Sequence, residues 1–414
     1  MASRRGAGDG GLYKRGDGLW VGSVEIPSAD GKRRRKTVTS KDRGNAARKL
    51  ADLKRDIEAG LVVSTNKATV EQWLTHWLED IHRTEIRPKT YKHYEQAIRI
   101  HIVPHIGARR LDKLSVEDVR AMVRTIQGYS TRAAVKAHQT LSKALDDAVK
   151  EGILMRNVAQ AVHKPKHTAK PPQPIAAKAA KIFIRHRIDA GDPLASRWAA
   201  AFFTGARQGE LLGLTWDRVD LDNGLLDLSW QLQLLSKVHG CPQVKLTDGD
   251  NFTYSCGRQK PGFCPQAHWN LPPGFEYLEC YRSLCWTRPK SNAGTRIVPI
   301  AAPLLLLLRE HAKSDAGNPL NLVWHHPDGR PYSQKDDHEA WRAALRDASF
   351  SDPLPNLHAA RHTTATLLLE AGVPEQIRMQ IMGQSSVVAH RGYAHVDQSL
   401  KREAVERLSQ LMIE

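Results

Sequence analysis

Thr204-Gly205-Ala206-Arg207-Gln208-Gly209-Glu210-Leu211-Leu212-Gly213-Leu214 sets one arginine between glycines where a helical apolar pattern begins, with Glu210 one turn further on. A guanidinium so placed can grip a phosphate through its planar fork, and a carboxylate three residues later can hold it in position. Alone, the same letters describe an ordinary i, i+3 ion pair on a helix surface, so their meaning depends on the rest of the chain. Helices are predicted over 176–187, 194–204 and 209–215, followed by strand-like alternation over 225–235. A short strand at Arg296-Ile297-Val298-Pro299-Ile300 leads into a helix over 303–313.

Two later segments carry the same chemistry. Leu357-His358-Ala359-Ala360-Arg361-His362-Thr363 spaces His358 and Arg361 three apart, which puts them on one helix face. Two arginines and a histidine can then surround one phosphate. His390-Arg391-Gly392-Tyr393-Ala394-His395-Val396 sets a tyrosine among basic residues near the C-terminal end, where a buried core tyrosine is the plain alternative.

Upstream the pattern is different. From 69 to 162 the apolar spacing predicts consecutive amphipathic helices over 70–81, 89–101, 115–126 and 131–151, with Thr69 and Ser115 as N-caps and Glu117 in the first turn after Ser115. The proline- and lysine-rich run from 164 to 174 reads as an extended linker and hinge. Residues 1–60 hold 15 Lys and Arg against 8 Asp and Glu. Within them, extended runs at 12–15, 18–26 and 33–38 are separated by turn residues, and a helix over 43–59 carries Ala47, Leu50, Leu53 and Ile57 at helical spacing. Trp20 alternating with Val24 and Ile26 predicts a small three-stranded sheet backed by that helix, not a solvated tail.

Composition narrows the function. With 61 Lys and Arg against 44 Asp and Glu, the 414-residue chain carries a net charge of +17, which points to a polyanionic partner. No run of about 18 apolar residues exists, and Leu304 to Leu308 is far too short to span a bilayer. The basic start leads into glycines and not an apolar segment, so a reducing cytoplasm is expected. Gly6-Ala7-Gly8-Asp9-Gly10-Gly11 has the letters of a dinucleotide fingerprint without the strand and helix it needs. No Walker A segment is present, which gives ATP-driven work on nucleic acid no support.

In this order, Thr204-Gly205-Ala206-Arg207-Gln208-Gly209-Glu210, Thr287-Arg288-Pro289-Lys290-Ser291, His358-Ala359-Ala360-Arg361-His362-Thr363 and Arg391-Gly392-Tyr393-Ala394-His395-Val396 resemble the tyrosine recombinase (phage integrase) family, in particular integrases of actinobacterial phages and integrative elements. The resemblance implies a multidomain chain. Its parts would be a small N-terminal three-stranded sheet plus helix (α+β) for arm-type DNA over 1–64, an all-α core-binding (SAM-like) domain over 65–165, a linker over 166–174, and a mainly helical α/β catalytic domain over 175–414.

It also implies that Tyr393 attacks the scissile phosphate, that Arg207 and Arg361 clamp the non-bridging oxygens with Glu210 in support, that Lys290 protonates the leaving 5′-oxygen, and that His358 assists proton transfer. Exchange of one ester for another conserves bond energy, so neither ATP nor a metal cofactor is implied. The implied partner is double-stranded DNA at core-type and arm-type sites, with a homotetramer on DNA and with a host bending protein and a directionality factor as further candidates. Lys14, Arg15, Arg33, Arg34, Arg35 and Lys89 are the candidate DNA contacts. A type IB topoisomerase is the nearest catalytic alternative, and the arm-like N-terminal module argues against it.

Two features depart from that family. Gln384 stands where the family usually has His, occasionally Trp; its amide can donate to a phosphate oxygen but cannot carry a proton. A slower enzyme is expected, with a DNA-binding protein of impaired catalysis as the alternative. All five cysteines, Cys241, Cys256, Cys264, Cys280 and Cys285, fall in an insertion over about 238–286, together with His239 and His268. The gaps are irregular and contain no C-x-x-C pair, so the expectation is an elongated loop with free thiols. The metal alternative is a site drawn from Cys241, Cys256, Cys264 and Cys280. Trp269, Tyr277, Tyr281 and Trp286 suggest some packing within that insertion. The tail over 399–412, with Leu400, Val405, Leu408 and Leu411 at helical spacing, packs either on its own domain or, as in related enzymes, on a neighbouring protomer.

Overall fold

Extended runs separated by turn residues pair as an antiparallel meander at the start of the chain: β1 (Gly11–Lys14), β2 (Trp20–Ile26) and β3 (Arg34–Ser40), in the order β1-β2-β3. Val24 packs with Leu50 and Leu53 of α1 (Arg43–Glu58), and Leu12 and Val38 close the edge of this small core. The inward position on α1 is Ala46, not the predicted Ala47, which is exposed. Trp20 is half-covered by the Arg43 guanidinium, 5.5 Å from its ring. The structure, a computed structural model, describes residues 11–26, 34–58, 68–168, 173–245, 252–384 and 398–413. The chain divides into two compact units, 1–169 and 170–414.

The helical part of the first unit comprises α2 (Val70–His76), α3 (Pro88–Gln96), α4 (Val103–Ile106), α5 (Val116–Tyr129) and α6 (Thr131–Lys150). Thr69 and Ser115 cap as predicted, each in a reciprocal box. The Gln72 amide donates to the Thr69 hydroxyl and the Thr69 amide to the Gln72 side chain, while Asp118, and not Glu117, answers Ser115. The predicted helices over 70–81 and 89–101 both widen into π-helical turns, Trp77–His82 and Ala97–Ile102. At the wider pitch residues five apart overlie one another, and the rings of Trp77 and His82 stack at 4.8 Å.

Trp73, Trp77, Met122, Ile126, Leu141 and Leu145 form the core of this module. Its indoles are held by hydrogen bonds, Trp73 Nε1 donating to Ala144 O at 3.0 Å and Trp77 Nε1 to the Asp147 carboxylate at 2.9 Å. Lys143 and Lys150 donate to the same carboxylate.

In the second unit, α7 (Ala177–Asp189), α8 (Ala195–Thr204) and α9 (Gln208–Leu212) precede the strands. β4 (Val219–Asp220) and β5 (Leu225–Asp227) join a later strand, β13 (Ile297–Pro299), in one sheet. The predicted strand over 225–235 is broken, because Asp227 Oδ1 accepts the Ser229 amide at 2.8 Å and turns the chain. Its second piece, β6 (Gln231–Leu234), belongs to another sheet. The cysteine-bearing insertion follows, and it is not the loop expected. It contains β7 (Lys237–Val238), β8 (Gln243–Lys245), β9 (Phe252–Tyr254), β10 (His268–Trp269) and β11 (Tyr277–Tyr281), and returns through β12 (Leu284–Thr287). β12 lies between β11 and β6.

After β13 (Ile297–Pro299) come α10 (Ala302–Ser314), α11 (Gln334–Asp347), α12 (His358–Glu370), α13 (Glu375–Met382) and α14 (Gln398–Ile413). Every residue of α8 is buried, as a helix enclosed on all sides requires; α7, α10, α12 and α14 pack around it. Phe183, Trp198, Phe202 and Trp341 fill the space between. The tail helix α14 packs on its own unit through Ala404, Val405, Leu408 and Met412, while the predicted inward positions Leu400 and Leu411 stay exposed. Among the described residues, no helix is long and apolar enough to cross a membrane.

Asp147 anchors a testable piece of this fold. Burial pushes its carboxyl up, but hydrogen bonds from Trp77, Lys143 and Lys150 outweigh that and bring it down to about 2. A drop of that size from the ordinary value of 3.8 corresponds to about 2 kcal/mol of stability. Because the folded pKa is depressed, this contribution is complete above about pH 4 and is lost as pH falls toward about 2. Urea unfolding of Asp147→Asn against the parent chain is expected to show a gap of about 2 kcal/mol near neutral pH that narrows through that acid window.

Candidate active site

The site begins where α8 ends. Gly205 takes a left-handed conformation with φ of 57°, and a Cβ there would lie 2.5 Å from Met382 Sδ, so only glycine fits the turn. The turn delivers Arg207 as the N-cap of α9. Glu210 then reaches back, its Oε2 accepting the Arg207 amide at 2.9 Å and its Oε1 accepting Arg207 Nη1 at 2.7 Å. The pair is not the surface pair of the plain sequence alternative, since Glu210 is 1% exposed and also accepts Arg296 Nη2 at 2.9 Å. Burial disfavours charge on Glu210, but Arg296 beside it, and then Arg207, hold its carboxyl below the usual range.

α12 brings the second arginine and the histidine. Arg361 is buried, with Nη1 donating to Gly205 O at 2.6 Å and Nη2 to Met382 O. Burial, followed by the charges of Arg207 and Arg296, brings its guanidinium down to about 10, still protonated near neutral pH.

The end of α13 completes the arrangement. Arg296 Nε donates to Ile381 O at 2.8 Å, Arg361 to Met382 O, and Arg207 Nη2 to Gly383 O at 2.8 Å. Three guanidiniums thus satisfy three consecutive carbonyls at a helix C-terminus, where the backbone has no acceptor partners of its own and the helix dipole is negative. Gly383 closes the helix with φ of 59°, and a Cβ on it would lie 2.6 Å from Arg296 Nη1. Gln384 follows directly and is exposed, its backbone N–H donating to Met379 O at 2.9 Å.

His358 stands one turn before Arg361 on α12, exposed, with its ring edge-on to His362 at 4.7 Å. Its surroundings lower its pKa, through desolvation first and then the charges of His362, Arg361 and Arg207. The ring is therefore neutral near neutral pH and able to accept a proton. His358 and Arg361 line a small cleft with Gln208, Arg197, Ala201, Ala206 and Leu357. Behind it Asp337 accepts Arg197 Nη2 at 3.0 Å and Gln208 Nε2 at 2.8 Å.

Four of the sequence-predicted residues, Arg207, Glu210, His358 and Arg361, thus meet at one place, with Gln384 joined to it through Gly383. Lys290 is exposed on the loop after β12. That loop is tied to the cluster, because Arg296 Nη1 donates to Gly294 O at 3.1 Å and the Gly294 amide donates to Ser291 O. Tyr393 lies outside the described residues, as does Arg33. Lys14, Arg15 and Arg35 are exposed on the meander, Arg15 paired with Asp17 and Arg35 with Glu25; Arg34 begins β3. Lys89 is exposed at the start of α3. Close to it, a basic hollow is lined by His93, His101, Arg132 and Lys136, residues the sequence reading did not single out.

Arg296 is the main omission of that reading. Its segment read as a strand, and the charge at its start carried no separate signal. The cysteine set is corrected as well. His239, Cys241, Cys256 and Cys264 cluster, whereas Cys280 does not join them; it lies beside Cys285 in the β11 and β12 pair, where burial pushes its thiol up to about 12.

Matching family models, curated relatives and solved structures together support the tyrosine recombinase (phage integrase) family for this chain. Residues 69–126 match the phage integrase N-terminal SAM-like domain, and residues 278–399 match the phage integrase family. Among curated relatives, an integrase of Saccharopolyspora erythraea is 29% identical, covering 96% of this chain and 95% of the relative. An integrase of Streptomyces ambofaciens is 26% identical, covering 97% and 94%. Among solved structures, the Tn1549 transposon integrase with a circular intermediate DNA has a TM-score of 0.59 at 19% identity, covering 82% of this chain and 99% of that one. A lambda integrase tetramer bound to a Holliday junction has a TM-score of 0.52 at 16% identity, covering 95% and 99%. The chain is a site-specific recombinase that cleaves and rejoins DNA through a tyrosine.

Arg296→Met removes one of the two cations that compensate buried Glu210, and is expected to lower stability by about 3 kcal/mol in urea unfolding. In a histidine ring-proton titration by NMR, the His358 midpoint should fall below the ordinary 6.5; a midpoint above that value would contradict the environment described.

Proposed function

We propose that Arg207, Arg361 and His358 form the phosphate-binding wall of the active site and that Tyr393 is the nucleophile. The supporting observation is that Arg207, Arg296 and Arg361 share one carboxylate, Glu210, so the cluster carries uncompensated positive charge at an open cleft. A phosphodiester is an anion that repels nucleophiles, and fixed guanidiniums neutralise the charge that gathers on its non-bridging oxygens in the transition state. The phenol of a tyrosine, with a pKa of about 10, must lose its proton as it attacks. His358, neutral and next to the arginines, is the acceptor we assign in that step.

In the proposed reaction, Tyr393 Oη bonds to phosphorus as the bond to the 5′-oxygen breaks. Lys290 gives the departing oxygen its proton, and a 3′-phosphotyrosyl ester remains. Attack by a 5′-hydroxyl on that ester reverses the step and joins strands without ATP. Gln384 donates its amide to a phosphate oxygen in place of the family's usual histidine.

We further infer that the helical module and its basic hollow grip core-type DNA, that the N-terminal meander binds arm-type sites, and that the enzyme works as a homotetramer on DNA. The tetrameric lambda integrase on a Holliday junction supports the last. Integration or excision of phage or mobile-element DNA is the process this serves, with a host bending protein and a directionality factor as expected helpers.

A nicked suicide substrate carrying core-site DNA tests the assignment. A denaturant-stable adduct is expected with the parent chain and none with Tyr393→Phe, while Arg361→Ala should slow its formation by about two to three orders of magnitude. Gln384→His should accelerate it. An adduct that persists in Tyr393→Phe would overturn the nucleophile.

A further inference from the structure

We propose that His239, Cys241, Cys256 and Cys264 form a structural zinc site that holds the insertion between β6 and β12 together. The four ligand atoms, one nitrogen and three sulfurs, lie within 4.8 Å of one another. Cys241 Sγ and Cys264 Sγ are 3.6 Å apart, and His239 Nδ1 is 3.5 Å from Cys256 Sγ and 3.8 Å from Cys241 Sγ. A tetrahedral ion with bonds of about 2.3 Å to sulfur and about 2.0 Å to nitrogen requires ligand separations of about 3.5 to 3.8 Å. These three edges match that figure. A disulfide needs about 2.0 Å between sulfurs, and would leave the third thiol and the imidazole without a role.

The surroundings are built for the same purpose. The His239 ring is stacked on Tyr254 at 3.6 Å and 9°, which aims Nδ1 at the sulfurs. Between the first two ligands, a Cβ on Gly240 would lie 2.0 Å from Gln266 O, so the backbone approaches too closely for any other residue. Backbone amides of Cys256, Arg258 and Gln266 donate to the sulfurs of Cys241, Cys256 and Cys264 respectively. Amides aimed at sulfur stabilise thiolates, the form that binds metal.

The insertion has a physical need for such a clamp. It is built from two-residue and three-residue strands, β7 with β10 and β8 with β9. Pairs that short are marginal without a larger core or a cross-link. The ligands come from the ends of both pairs, His239 directly after β7 and Cys256 two residues after β9, so one ion ties them together. The insertion is mounted on the β6 and β12 ladder, where Leu234 faces Leu284, and β12 leads on to Lys290. Three thiolates and one neutral imidazole give a closed ligand set with no open position, which suits a structural site and not a catalytic one.

Elemental analysis of the full-length protein, purified under reducing conditions with zinc supplied, is expected to find about one zinc per chain. Cys256→Ser should lose it and Cys280→Ala should retain it. Because Cys256→Ser can fail to fold, the parent chain reconstituted with cobalt provides a second readout, the intense visible bands of a tetrahedral thiolate complex. A chelator should raise the number of fast-reacting thiols by three. Absence of metal in the parent chain, full zinc retention in Cys256→Ser, or a disulfide among these cysteines in mass spectrometry would each overturn the proposal.

Discussion

One buried carboxylate governs the catalytic unit. Glu210 has almost no exposure and would be expensive as a lone anion, so it must be met by cations. Arg207 comes from its own turn and Arg296 from the strand 86 residues later, and both are pinned to it. That requirement draws α9, β13 and the end of α13 to one point, since the guanidiniums that face Glu210 also reach the carbonyls of Ile381 and Gly383. The glycines at 205 and 383 follow from the crowding, each in a left-handed turn with an arginine or methionine where a side chain would go.

The same arrangement explains how a buried network can serve chemistry at a surface. Guanidiniums locked by carbonyls and a carboxylate cannot rotate freely, so under the proposed function their orientation toward a phosphate would be set before DNA arrives. Arg361 adds charge from α12, and its proximity to Arg207 is costly enough to lower its own pKa. Under the proposed function, a bound phosphate would relieve that repulsion. His358, kept neutral by desolvation and by those cations, is in the protonation state that a proton acceptor needs. Gln384 is attached to this cluster through the backbone of Gly383.

Much of this was legible in the sequence, for physical reasons that differ by element. Helix starts were marked by Thr69 and Ser115, and the charged cluster by Arg207 with Glu210 and by His358 with Arg361, because spacing within one helical turn is a local property. Arg296 was not legible as a partner of Glu210, since nothing local links a residue at a strand edge to a carboxylate in another element. The π-helical turns at 77–82 and 97–102 have no composition signal and show only once Trp77 and His82 are packed. The strand break at Ser229 depended on one side-chain hydrogen bond from Asp227. The cysteine insertion was misread for a related reason. Its ligands are separated by irregular gaps, and only the pairing of four short strands brings His239, and not Cys280, to the other three.

The claim on which the rest depends is that Glu210 orders the arginines for the phosphate. The most direct measurement is the single-turnover rate of strand cleavage by Glu210→Gln, made on protein shown by circular dichroism to be folded at the assay temperature, beside its affinity for the same DNA. The account predicts cleavage slowed by about ten-fold or more with DNA affinity little changed, because ordering of the guanidiniums is felt mainly in the transition state. Cleavage at the parent rate by folded Glu210→Gln would contradict it.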